Sequence, residues 1–226
     1  MAVRLAKLAG YDLELLIDRS GSMDKEDCPS GKKGLFGGTK YISRWNYVAE
    51  QTAELAGEAC KVDDDGIYVG LFNTRLQPIE GADADKVRAA FKQYTPTDGT
   101  NTADAIDNRI QAYFARKAAN PNTKPLILIV VTDGEPTGTN LKGVSRDPQQ
   151  AVADVITNAT KRISSRKELG IFFMQVGFDK AATTFLSWLD DGLVAAGAKF
   201  DIVDAKTAED VKNMSITDVI EGAVTD

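Results

Sequence analysis

Three oxygen-bearing side chains stand at alternate positions in Asp18-Arg19-Ser20-Gly21-Ser22, directly after the apolar run Leu13 to Ile17. A carboxylate at the end of a buried strand, followed by two hydroxyls, presents three hard oxygen donors from one turn. Such donors suit Mg²⁺, Ca²⁺ or Mn²⁺. Gly21 lets the backbone fold tightly around an ion. Asp98-Gly99-Thr100-Asn101-Thr102 adds a hydroxyl at Thr100, and Val130-Val131-Thr132-Asp133-Gly134-Glu135-Pro136 adds a carboxylate at Asp133. Singly, Ser20 and Ser22 read equally well as turn or cap residues, Thr100 and Thr102 as caps, and Asp133-Gly134 as a simple turn. Their combination is what points to a cation site. Asp24, Asp98 and Glu135 flank these donors and read as solvated acids.

The elements that must position these loops follow from the hydrophobic pattern. Apolar runs of strand length alternate with helix-period segments, which predicts an α/β domain around a mainly parallel sheet. Strands are expected at Leu13 to Ile17, Ile67 to Phe72, Leu126 to Val131, Ile171 to Val176 and Phe200 to Val203. Leu76 to Ile79 follows Asn73-Thr74-Arg75 closely enough to be an antiparallel edge strand. Helices are expected over Arg44 to Cys60, after Asp83, after Asn101 or Thr102, and from Asp147-Pro148. A short one carries Phe185, Leu186, Trp188 and Leu189, and a last one starts at Thr207 and carries Val211 and Met214. In open parallel sheets ligands lie beyond the carboxyl ends of strands where the strand order reverses. Asp18 and Asp133 are both expected there, at exposed strand ends.

The five donors in this order resemble the metal-ion-dependent adhesion site of the von Willebrand factor A (vWA) family. That pattern has Asp-x-Ser-x-Ser in a first loop, Thr in a second and Asp in a third. Asp18, Ser20, Ser22, Thr100 and Asp133 fill it, and the resemblance runs from Leu13 to about Val203. It implies a three-layer, Rossmann-like, doubly wound sheet of six strands. It also implies that Ser20 and Ser22 bind an ion directly, that Thr100 binds directly or through water, and that Asp18 and Asp133 hold coordinated waters. Mg²⁺ is the expected ion, with Ca²⁺ or Mn²⁺ as alternatives. An ion held by few anions stays electrophilic, so an Asp or Glu of a protein partner can complete its shell. Gly177-Phe178-Asp179 through Phe185-Leu186-Ser187-Trp188-Leu189-Asp190-Asp191 resembles the bacterial tellurium-resistance, stress-response vWA group. This implies a role in a stress-response or ATPase-linked complex.

Composition narrows the remaining classes. The 226 residues suit one domain, 1–226, with an N-terminal extension (1–10) and an insertion loop beside the metal site (24–43) rich in Gly, Lys and Asp. A net charge of -6 argues against a nucleic-acid partner. No apolar run is long enough to span a bilayer, and Arg4 and Lys7 interrupt any secretory signal, so a cytoplasmic protein is expected. Cys28 and Cys60 read as thiols. The chain has no histidine, which removes histidine-based acid–base and nucleophile chemistry and makes a binding module the expectation over an enzyme. Lys32-Lys33 lacks the P-loop form. Ser20 stands where a haloacid-dehalogenase-like enzyme would need a second Asp. The alternatives are a metal-dependent phosphate-ester hydrolase, with the ion activating water, and a structural domain filled by Ca²⁺.

Overall fold

The computed structural model describes residues 10–33, 38–61, 66–138, 147–207 and 210. A six-stranded sheet is built from β1 (Asp12–Asp18), β4 (Ile67–Phe72), β5 (Leu76–Ala82), β6 (Leu126–Thr132), β7 (Leu169–Gln175) and β8 (Val203–Lys206), in the order β5-β4-β1-β6-β7-β8. All neighbours are parallel except β4 and β5. The antiparallel edge follows from the short Asn73-Thr74-Arg75 connection, where the Asn73 amide donates to the Arg75 carbonyl. Pro78 sits on that edge strand, where its missing N–H does not break a central ladder.

β1 lies between β4 and β6, so both its edges and both its faces are covered, which accounts for a run from Leu13 to Ile17 that is apolar except at Glu14. Its successive residues feed two cores. Leu15 and Ile17 join Val48, Leu55, Val87 and Phe91 of α1 (Arg44–Ala59) and α2 (Ala84–Gln93). Leu16 joins Ile106, Ile110, Ile156 and Phe185 of α3 (Thr102–Ala119), α4 (Pro148–Thr160) and α5 (Lys180–Gly192). The period of two along the strand thus makes the three layers. Asp83, Asp147 and Asp179 cap α2, α4 and α5 through their side chains.

Three expectations change. The last strand is Val203–Lys206 rather than Phe200 to Val203, because an edge strand is only half covered and tolerates Asp204 and Lys206. The helix around Phe185 is not short but runs over 13 residues. The expected loop between Met23 and Arg44 contains a two-stranded antiparallel sheet of β2 (Glu26–Lys33) and β3 (Thr39–Ser43). Its strands lack apolar alternation, which hid them. Most of the N-terminal extension, the Leu35-Phe36 segment and the helix expected beyond Thr207 lie outside the described residues. Among the described residues no helix is long and apolar enough to cross a membrane.

Candidate functional site

The strand order reverses at β1, with β4 on one side and β6 on the other. The loops after β1 and β6 therefore meet at the carboxyl edge of the sheet, as open α/β sheets require of a ligand site. Asp18 is the last residue of β1. One carboxylate oxygen, Oδ1, accepts the Ser20 N–H at 2.7 Å, and Oδ2 accepts the Thr132 hydroxyl at 2.7 Å. The chain then makes one 3-10 turn, Gly21–Asp24, which brings the Ser20 and Ser22 hydroxyls within 3.0 Å of each other. The Ser22 hydroxyl donates to Asp133 Oδ1 at 2.7 Å. Asp18, Ser20, Ser22 and Asp133 therefore form one hydrogen-bonded group drawn from two loops.

Neither carboxylate is at an exposed strand end. Asp18 and Asp133 are 0% and 1% accessible, since flanking loops close over the sheet edge. Burial, and next the nearby charge of Asp133, push the Asp18 carboxyl up to about 7, against the pull of Thr132 and Ser20 hydrogen bonds.

Thr100 is brought to the same end by backbone contacts. The Gly21 N–H donates to the Asp98 carbonyl and the Thr97 N–H to the Arg19 carbonyl, stitching the first loop to the second. Asp98 adopts φ +64°, a turn conformation that Asp tolerates better than most residues. The Thr100 N–H donates to the Thr137 hydroxyl at 2.8 Å, and the Thr137 N–H returns to the Thr100 carbonyl at 3.0 Å. Thr137 thus clasps the second loop to the third. A side chain at Gly99 would lie 2.6 Å from the Thr137 hydroxyl, so glycine permits the clasp. Thr100 is buried, and its hydroxyl makes no hydrogen bond to the other four donors.

Of the flanking acids, Asp24 is exposed, Asp98 accepts from the Asn73 amide and Glu135 from Gln149.

The donor set suits a hard divalent ion. Hydroxyl oxygens converge with two carboxylates, and one of these, Asp18, is buried with only neutral hydrogen-bond donors as partners. Among the described residues no three His, Cys, Asp or Glu side chains gather as a metal cluster, so a thiolate–imidazole site is not what this arrangement offers. Ser20, Ser22 and Thr100 would hold the ion, with Asp18 and Asp133 behind them.

Besides Thr137, two residues at the site escaped the sequence. Arg44, the first residue of α1, is buried and donates through Nη1 to Asp133 Oδ2 at 2.8 Å. Its Nε and Nη2 donate to the two oxygens of Asp27 in β2, at 2.9 and 2.6 Å. Burial works against the Arg44 charge, but the Asp27 and Asp133 hydrogen bonds more than offset it and hold its pKa above the ordinary value. The Arg44 hydrogen bonds hold Asp27 below the usual carboxylate range. A signal did exist. Arginine at the start of a helix, with no acid in the first turn, opposes the helix dipole and needs an anion elsewhere.

A family model described as the von Willebrand factor type A domain matches residues 62–187. That span contains Thr100 and Asp133, and β1 with Asp18, Ser20 and Ser22 lies outside it. A von Willebrand factor type A structure from Catenulispora acidiphila is similar at 14% identity and a TM-score of 0.51, over 95% of this chain and 42% of that one. An aerotolerance-related membrane protein from Bacteroides fragilis matches at 14% identity and a TM-score of 0.48, over 75% of this chain and 69% of that one. The chain thus spans less than half of the first of these proteins. No curated protein matches.

Proposed function

Because the chain belongs to the von Willebrand factor type A family, typically a protein-binding module, we propose that it binds a protein partner through a divalent cation. The cation, Mg²⁺ by preference and Ca²⁺ or Mn²⁺ otherwise, is held by Ser20, Ser22 and Thr100 with Asp18 and Asp133 behind them. A carboxylate of the partner, from Asp or Glu, completes the site. The observation that carries this reading is the hydrogen-bonded convergence of Ser20, Ser22 and Asp133 from two loops at the strand-order reversal.

Each residue has a distinct part. Asp18 fixes the Ser20 backbone and through it the direction of the first turn. Asp133 orients the Ser22 hydroxyl. Thr137 holds the Thr100 backbone between the second and third loops. When bound, the ion supplies an electrophilic position for an incoming carboxylate oxygen. The protein is acidic, at -6, so a partner carboxylate gains from local attraction and not from the overall field.

The proposal includes no catalytic turnover and places the protein in the cytoplasm, within a stress-response or ATPase-linked complex.

The test is capture of partners from lysate on the immobilised chain, in Mg²⁺ and in EDTA. Proteins retained in Mg²⁺, released by EDTA and lost with Thr100→Ala are expected. Equal retention in both buffers would show that recognition lies on another surface.

A further inference from the structure

Arg44 bridges two parts of the molecule that lie far apart in the sequence. Its guanidinium spans Asp133 at the end of β6 and Asp27 on the β2–β3 hairpin, with three nitrogens bound to three carboxylate oxygens. The third side of its seat is Gly177, at φ +77°, whose Cβ would stand 2.3 Å from the Arg44 Cζ. The guanidinium is therefore fixed by two anions and a close backbone approach. With Ser22 on the other oxygen, both oxygens of Asp133 are engaged.

We propose that Arg44 is a positioning residue of the cation site: it shares the charge of Asp133 and, through Asp27, holds the β2–β3 hairpin on the rim of the same site. This rests on the assignment of Ser20, Ser22, Thr100, Asp18 and Asp133 to a cation. An aspartate already paired with a guanidinium attracts a second cation less strongly. Arg44 thereby lowers the affinity for the ion and leaves more of its charge for an incoming carboxylate. Asp27 works in the opposite sense, because it neutralises Arg44. The hairpin residue therefore tunes the site without touching it.

Substitutions at the two ends of one ion pair separate this role from a structural one. Arg44→Gln and Asp27→Asn break the same bridge, yet they move the potential at Asp133 in opposite directions. By calorimetry with Mn²⁺ alone, Arg44→Gln should tighten binding about tenfold. Asp27→Asn should weaken it roughly threefold, the smaller effect reflecting its greater contact with solvent. The double variant should fall between them, and Arg44→Lys, which keeps the charge and loses the fork, should stay near the wild type. Shifts of the same sign in Arg44→Gln and Asp27→Asn, or no shift in either, would overturn the charge-sharing role.

Hydrogen exchange in metal-free protein tests the tether separately. Amides of residues 26–30 and 39–43 should exchange several-fold faster in both Arg44→Gln and Asp133→Asn, while those of β1 and β6 keep their protection. Unchanged hairpin exchange in both variants would overturn the tether. A wild-type chain that takes up no Mn²⁺ would remove the cation assignment, and the exchange measurement would still decide whether Arg44 ties the hairpin to Asp133.

Discussion

Two buried acids of the same strand are treated in opposite ways. Glu14, in the middle of β1, is 4% accessible and receives two guanidinium groups, Arg109 at 2.6 Å and Arg116 at 2.7 Å, both from α3. Arg109 is further held over the Tyr68 ring, with its Cζ 3.5 Å from the centroid. Asp18, at the end of β1, is 0% accessible and receives only an amide and a hydroxyl. Among the described residues the first acid is met by two positive groups, one of them shared with Asp12, and the second by none in direct contact. Buried charges are normally paired because desolvation is costly. On the proposed reading, the acid without a cationic partner stands behind the cation site, and the paired one belongs to ordinary architecture.

The contrast is sharpened most by removing the compensation at Glu14. Arg109→Met leaves the carboxylate with the half-exposed Arg116 alone and should cost about 3 kcal/mol in denaturant unfolding, the range seen on breaking buried ion pairs. A loss below about 0.5 kcal/mol, the level of an ordinary surface change, would mean that this cluster is as loosely compensated as Asp18.

An effect of comparable size is expected at the other end of the strand. The folded Asp18 carboxyl is raised to about 7 from an ordinary 3.8, so the folded state holds a proton that the unfolded state has released. Stability of the metal-free chain should therefore be full below about pH 4, fall through the window between these values and level off above about pH 7. At about 1.4 kcal/mol per unit the loss is on the order of 4 kcal/mol. Asp18→Asn should flatten that slope and leave the metal-free variant more stable than the wild type at pH 8. Saturating Mg²⁺ should flatten it in the wild type. A wild-type chain whose unfolding midpoint is unchanged across this window would contradict the uncompensated burial of Asp18.

Much of this arrangement was legible in the residues. The run Leu13 to Ile17 announced a doubly covered central strand, and Asn73-Thr74-Arg75 announced the antiparallel edge. Period-two and period-3.6 patterns carry such signals wherever one face is buried. Four of the five candidate residues lie in one hydrogen-bonded group, because Asp18 ends and Asp133 follows a strand whose place in the sheet is set by burial. The fifth, Thr100, comes to the same end but through Thr137, a clasp between side chain and backbone that has no periodic signature. The hairpin was not legible either. Its strands Glu26–Lys33 and Thr39–Ser43 are polar and one-sided, and they are fixed from outside by the Asp27–Arg44 pair. Long-range ion pairs depend on where two distant segments meet, and no local pattern encodes that. The burial of Asp18 and Asp133 was misread for the same reason: strand ends are exposed in isolation, and here the second loop and Arg44 cover them.

On the proposed reading, the hydroxyls and carboxylates beyond β1 and β6 hold one divalent ion. The most direct test of this is a crystal grown with Mn²⁺ and measured at the manganese absorption edge. One anomalous peak is predicted in contact with the Ser20 and Ser22 hydroxyls, with Asp133 still paired to Arg44. At saturating Mn²⁺, no peak there, with the Ser20–Ser22–Asp133 hydrogen bonds intact, would contradict it.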